Sequence, residues 1–177
     1  MITQINKSQF ESKIGDIYYL WICENKEVRV VFIGNYKKNF YRYLEKLRSK
    51  CKGINRVVFI EKKSQIIEST INNYLNGRSR DLNIKVKFLT GTKFERKIWN
   101  KTSNIRYGRI ISYKEITELA GYPCAWRAAG TALSKNPIML VVPCHRVVKS
   151  NGSLGKFTGG EKIKRFLLNL EKNNIKK

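Results

Sequence analysis

Pro143-Cys144-His145-Arg146-Val147-Val148 sets a nucleophile, a base and a cation side by side in a 177-residue chain with 4 cysteines and 1 histidine. Cysteine reacts as its thiolate, whose pKa falls from about 8.5 when cations or oriented backbone dipoles stand nearby. His145 and Arg146 are both candidates for that influence. Adjacent residues of an extended segment point to opposite sides, so the imidazole is expected to reach the sulfur through a bridging water while another group holds the ring. Glu171, far along the chain, is the expected holder. An isolated Cys-His pair is more often an inert buried thiol beside a core histidine, so the surroundings must decide.

Those surroundings begin with Ile138 to Val142, an apolar run ending at Pro143 that should bury the chain just before Cys144. A final amphipathic helix from Glu161 to about Asn173 is expected to turn Ile163, Phe166, Leu167 and Leu170 to the core. Upstream, Phe94, Ile98 and Trp99 share one face of a helix over Thr92 to Asn104, Ser112 caps a helix ending at Gly121, and Ala125 to Lys135 forms a third, stopped by Asn136-Pro137. The tight Gly-Tyr-Pro turn between the last two suggests helix-turn-helix. In the first half, Asp16 to Glu24 and Lys26 to Gly34 read as a hairpin turning at Glu24-Asn25. A helix over Lys37 to Lys52 follows, then a strand over Arg56 to Ile60 and a helix over Ser64 to Leu75, giving β, β, α, β, α. Ile84 to Leu89 is a further strand or the connecting segment. The chain is therefore read as α+β, with an N-terminal α/β domain over 1–88 and a mostly helical domain over 89–177.

Composition bounds the function. With 42% hydrophobic and 11% aromatic residues the chain is ordinary globular material. No apolar run approaches the roughly 20 residues a membrane span needs, and no secretory signal is read at the N-terminus; a cytoplasmic, non-membrane protein is expected. Lysine and arginine number 36 against 13 acidic residues, a net charge of +23 that favours polyanions, nucleic acid first among them. Cys23, Cys51, Cys124 and Cys144 lie far apart without a C-x-x-C pair, so neither zinc nor another metal is expected. A Cys23–Cys51 disulfide stays open for a hyperthermophilic source; elsewhere all are reduced thiols.

The stretch NPIMLVVPCHRVVKSNGSLGKFTGG, Asn136 to Gly160, closely resembles the active-site signature of the O6-alkylguanine-DNA alkyltransferases. Phe94 and Trp99, Ser112-Tyr113, Arg127-Ala128-Ala129-Gly130, and Lys164, Leu167, Leu168 and Glu171 recur in the order that family has, so the resemblance covers residues 90–172. It implies a ribonuclease H-like N-terminal domain and a winged-helix-like C-terminal one. It also implies direct, stoichiometric transfer of an alkyl group from O6-alkylguanine in duplex DNA to Cys144, with O4-alkylthymine as a substrate left open, no cofactor, and a monomer as the working form.

Carried over, the family makes Cys144 the acceptor, His145 and Glu171 its water-bridged relay, and Asn136 the brace of the active-site turn. Tyr113 would press on the target phosphate and contact the guanine, and Arg127 would replace the extruded base in the stack. Lys114, Tyr122, Ala128, Gly130 and Ser150 complete the implied DNA surface. Tyr113, Val147 and the backbone at Thr158 would form the base pocket. Trp126, where the family often has a small residue, is expected to pack inward. Three other readings compete. A non-catalytic lesion-binding relative would lack the acceptor, a helix-turn-helix transcription factor would lack PCHRV, and a Cys-His-Asn hydrolase needs a histidine elsewhere in the chain.

Overall fold

The computed structural model describes residues 2–50, 56–155 and 157–175. It is a mixed α+β fold. Three strands come first: β1 (Ile2–Ser12), β2 (Gly15–Glu24) and β3 (Glu27–Gly34). The β2–β3 hairpin turns through Asn25 and Lys26, both at positive φ (53° and 64°), the paired left-handed conformation that matches the twist of the flanking strands. The turn therefore lies one residue later than Glu24-Asn25. β1 was not expected from sequence, and the reason is physical: apart from Ile5 its buried positions include Asn6, so it shows no apolar alternation. Its pairing holds it instead, antiparallel to β2 and parallel to β4 (Arg56–Glu61).

Helices α1 (Lys37–Lys50) and α2 (Gln65–Leu75) follow the expected periodicity, burying Phe40, Tyr43, Leu44 and Leu47, and Ile67, Ile71, Tyr74 and Leu75. The Ile84 to Leu89 region contributes only a two-residue strand, β5 (Lys85–Val86), closing the sheet in the order β4-β1-β2-β3-β5.

Three helices then gather beside the sheet. α3 (Lys93–Ser103) and α4 (Tyr113–Leu119) each open with a capping box, Thr92 with Glu95 and Ser112 with Glu115, in which side chain and backbone satisfy each other's free donors. α5 (Trp126–Ser134) buries Ala129, Ala132 and Leu133, and Trp99 ties α3 to it by donating Nε1–H to the Ala132 carbonyl at 2.8 Å. The small side chains of α5 permit that close approach. Ser112 also belongs to β6 (Ile111–Ser112), which pairs in parallel with β7 (Val147–Val148); this seats the start of α4 beside the residues just after Cys144.

The last helix, α6 (Glu161–Ile175), is rotated from the expected face. Its buried line is Lys164, Leu167 and Glu171, whereas Ile163, Phe166 and Leu170 are only partly covered. Two charged side chains stand inside because each finds a buried polar partner, described below; burial without one would be prohibitive.

One hydrophobic cluster unites both halves, running from Ile17, Tyr19 and Ile33 through Ile67 and Ile71 to Trp99, Ile138 and Leu167. The apolar segment before Cys144 is stitched to β3 directly: Ile33 N–H donates to the Pro137 carbonyl at 2.9 Å and Met139 N–H to the Ile33 carbonyl at 3.0 Å. The sheet is thus the backing of the reactive turn. Ile138, wholly buried at this junction, should matter accordingly. Ile138→Ala is expected to cost about 2 to 5 kcal/mol of unfolding free energy, read as a lower urea midpoint at constant slope; an unchanged midpoint would show that the junction carries no stability.

Candidate active site and DNA surface

Cys144 opens a single 3-10 turn, Cys144–Arg146, and is 5% exposed. Asn136 closes the segment that delivers it. Its Nδ2 donates to the Val142 carbonyl at 3.0 Å and to Cys144 Sγ at 3.2 Å, while its Oδ1 accepts from Ile138 N–H at 3.0 Å. One amide side chain therefore fixes both ends of the apolar run and touches the sulfur.

Around the neighbouring residue a second group of polar atoms converges. His145 Nε2 lies 2.7 Å from Glu171 Oε1; Arg146 Nε donates to both carboxylate oxygens at 3.1 Å. Gly108 N–H donates to Oε2 at 2.8 Å and Tyr74 Oη–H to Oε1 at 2.6 Å. Burial, the largest single influence, would raise the Glu171 pKa, but the hydrogen bonds and charges of His145 and Arg146 together hold it at about 2. The carboxylate is ionised at neutral pH and can only accept, so the imidazole must donate through Nε2 and keep its lone pair on Nδ1. Nδ1 is buried and has no hydrogen-bond partner among the described residues. Burial also pushes His145 below its ordinary value; Glu171 opposes this, while Arg146 and Lys164 add to it. The ring is a neutral base with one open acceptor.

The thiol is not poised as sequence suggested. Burial, the strongest influence, raises the Cys144 pKa, and only the Asn136 hydrogen bond, the Lys164 charge and the local backbone act to lower it. Neither His145 nor Arg146 supplies that lowering. The imidazole is neutral, and the Arg146 guanidinium is engaged by Glu171 and by the Ile105 carbonyl at 2.5 Å. Lys164 is the cation that matters: its Nζ donates to the Val147 carbonyl at 2.6 Å, and burial brings its pKa down to about 8.

Tyr113, at the start of α4, faces the same place. Its phenol is raised by burial and then by the charge Cys144 would carry, and its ring packs against Gly155, where a Cβ would come within 3.0 Å of the hydroxyl. Beside it opens a cleft of about 1290 Å³, lined by Tyr113, Lys114, Trp126, Arg127, Gly130 and Ser150 among others.

Sequence placed further residues at this surface, and they divide. Ala128 is exposed on α5 but does not line the cleft. Tyr122 packs edge-on against Phe94 with Lys97 Nζ over its ring, away from the cleft lining. Val147 is wholly buried, and Thr158 Oγ1 donates to the Ser134 carbonyl at 2.9 Å, so of the three pocket residues only Tyr113 borders the cleft. Trp126 is a correction: it is 44% exposed and lines the cleft rather than the core. It occupies the first position of α5, and a helical Cα–Cβ bond tilts toward the N-terminus, which carries the indole past the end of the packed face. Cys23 and Cys124 are free and exposed; the Cys23–Cys51 pairing concerns a residue outside the described ones.

Tyr74 was missed altogether, since in α2 it reads as one more core aromatic. Lys164 was noted only for its order. The available signal was Lys164, Leu167 and Glu171 at i, i+3 and i+7, two charges on a stripe otherwise flanked by apolar residues.

The sequence model for the DNA-binding domain of 6-O-methylguanine DNA methyltransferase matches residues 93–173. The inducible methylated-DNA–protein-cysteine methyltransferase of Bacillus subtilis is 36% identical over 143 residues, 81% of this chain and 79% of that protein. The chain belongs to this family. The methylated-DNA–protein-cysteine methyltransferase of Methanosarcina barkeri is 34% identical over 160 residues, 89% of this chain and 99% of that protein. Among solved structures, Mycobacterium tuberculosis O6-methylguanine methyltransferase superposes with a TM-score of 0.78 at 26% identity, covering 96% of this chain and 94% of that one. Mycobacterium tuberculosis OGT in complex with DNA gives 0.72 at 25%, over 97% and 94%. This methyltransferase is thus a DNA-binding enzyme of direct damage reversal, which sets aside the transcription-factor and hydrolase readings. Among its described residues no helix is long and apolar enough to cross a membrane.

Lys164 offers a test of the thiol's electrostatics. Removing a cation that lowers the Cys144 pKa must raise it further. Lys164→Met is therefore expected to move the pH profile of Cys144 carbamoylmethylation by iodoacetamide upward, read by peptide mapping. A superimposable profile would show that the sulfur does not feel this charge.

Proposed function

We propose that Cys144 is the alkyl acceptor and that the lesion is O6-alkylguanine turned out of duplex DNA into the Tyr113 side of the cleft. The observation that carries this reading is the Asn136–Cys144–His145–Glu171 arrangement, a buried sulfur backed by a neutral base with an open Nδ1. In the reaction the Cys144 proton passes through a water to Nδ1, and the thiolate attacks the alkyl carbon. The S–C bond forms, the C–O6 bond breaks, and its electron pair leaves with the guanine. The base takes up one proton, for which the Tyr113 hydroxyl is the donor at hand. The imidazolium then releases the thiol's proton through water to the Tyr113 phenolate, so the sum is balanced. A thioether has no facile route back to a thiol; each molecule acts once, and the non-catalytic alternative is disfavoured by the presence of Cys144.

Base extrusion is required because a sulfur this deep cannot meet a stacked base. Arg127 fills the vacated position, and Trp126, exposed beside it, broadens the wedge. Lys114, Gly130 and Ser150 lie along the same cleft and serve the backbone; Ala128 on the outer face of α5 permits close approach in the minor groove, with Tyr122 buttressing the turn from behind. Val147 and Thr158 shape the pocket indirectly, through the Lys164 and Ser134 contacts. The net charge of +23 supports sequence-independent phosphate binding.

Residues 1–88 are assigned as a structural domain and 89–177 as the DNA-binding and acceptor domain. The strand order β4-β1-β2-β3, with β4 parallel to β1, supports a ribonuclease H-like first unit, and the α4–α5 pair followed by the 149–155 turn supports a winged-helix-like second. The working form is a cytoplasmic monomer.

Incubation with duplex DNA containing O6-methylguanine should add one methyl mass per molecule, mapped to Cys144 and absent in Cys144→Ala. Several additions, repeated turnover or an adduct on Cys23, Cys51 or Cys124 would refute the acceptor. For the finger, Arg127→Ala should slow transfer from duplex DNA by at least tenfold, since extrusion costs a few kcal/mol, on the order of two decades in rate. Transfer from the free base O6-benzylguanine should be nearly unchanged. Equal losses on both substrates would remove Arg127 from extrusion.

A further inference from the structure

We propose that the Tyr74 hydroxyl, brought in by the N-terminal half, is a positioning group for transfer that holds Glu171 against His145 and thereby keeps the imidazole neutral, with its Nδ1 lone pair open. The proposal rests on the reading above, in which His145 is the base for Cys144. Tyr74 is wholly buried on α2, on the face it shares with Ile67 and Ile71, and its ring meets Tyr107 edge-on at 5.9 Å. Its hydroxyl is 2.6 Å from Glu171 Oε1 and 3.4 Å from His145 Nε2. Among the described residues it is the side chain that comes within bonding range of both members of the pair.

The other groups facing the pair explain what Tyr74 adds. Arg146 comes from the 3-10 turn, Lys164 from α6, Cys144 from the preceding residue, and Tyr107 and the Gly108 N–H from the segment after α3. Arg146 neutralises Glu171 across both oxygens, with Nε 3.1 Å from each and Nη2 3.0 Å from Oε1. Gly108 holds Oε2. Tyr74 is the neutral donor on Oε1, the oxygen that His145 itself uses. Burial first, and then the Glu171 charge and hydrogen bond, raise the phenol above its ordinary range, so it remains a donor wherever the enzyme works. By sharing Oε1 it disperses the charge that would otherwise draw a second proton onto the imidazole. Without it more negative charge faces the ring, the imidazolium is favoured, and the lone pair on Nδ1 is lost at a higher pH.

With 1 histidine in the chain, ring ¹⁵N NMR reports on His145 alone. In the intact wild-type protein the neutral ring should be protonated at Nε2. Tyr74→Phe should raise the His145 midpoint by about 1 unit, as expected for a lost hydrogen bond to a charged group. The acid limb of single-turnover transfer from O6-benzylguanine should move up with it, while rates on the alkaline side stay within about twofold. 3-Fluorotyrosine placed at position 74 alone keeps the contact but donates more strongly, and should move the midpoint the other way; it also serves if Tyr74→Phe does not fold. An unmoved midpoint in either folded variant, or a rate loss uniform across pH, overturns the proposal and reduces Tyr74 to packing. Failure of the underlying reading is recognised separately, because wild type would then form no Cys144 adduct, and the proposal would fall with it.

Discussion

A single ionised carboxylate, sealed from water, organises the reactive end of this protein. Glu171 is 1% exposed, and such a charge is tolerable only when nearly all its lone pairs are filled. The donors that fill them come from α2, from the segment after α3, and from the 3-10 turn itself. Because each donor belongs to a different part of the chain, meeting the needs of Glu171 draws those parts together. The tautomer of His145 follows from the same demand: an acceptor-only partner leaves the ring no choice but to donate through Nε2.

The sulfur obeys the opposite logic. Its surroundings keep it a thiol at rest, since burial outweighs Asn136 and Lys164. A permanently exposed thiolate would be consumed by any electrophile or oxidant, and a protein that acts once cannot recover from that. The proton is best removed only when a base occupies the pocket and excludes bulk water, which strengthens the influence of Lys164 and of the open Nδ1. Resting protection and reactivity on demand then come from the same burial.

How much of this was legible in sequence depends on whether a residue acts through its neighbours along the chain or across it. The hairpin and α1 through α5 followed from local periodicity, with Ser112 legible as a cap; the full capping boxes, Thr92 with Glu95 and Ser112 with Glu115, were not read although their partners lie within three residues. Cys144 and His145 stood out by residue type, with Glu171 as the candidate holder, and Asn136 entered through a resemblance dense in motifs. β1 escaped because its stability comes from ladders on both sides and not from its own pattern. Tyr74 escaped because an aromatic on the apolar face of a helix carries no mark of what its hydroxyl touches 97 residues away. Glu171 was legible as chemistry and Lys164 only as a motif position, but the rotation of α6 that buries them was not legible, since Ile163, Phe166 and Leu170 made the more apolar face.

Trp126 shows the limit of hydrophobicity as a guide to position. Of the 3 tryptophans in the chain, Trp21 and Trp99 lie in the core, each donating its indole N–H to a carbonyl, while Trp126 stands at the open end of a helix. A helix end supplies no neighbours on the side toward which its first side chains lean, so an indole there stays uncovered however apolar it is. An uncovered indole is unfavourable in water unless something planar is to lie on it, and stacked bases are worth about 1 to 3 kcal/mol each on an aromatic face. The same geometry that keeps Trp126 out of the core sets it beside Arg127, in the cleft that Tyr113 and Ser150 share. What looks like a defect of packing at the start of α5 is accounted for once the cleft is read, as proposed, as the place where a duplex opens at the lesion.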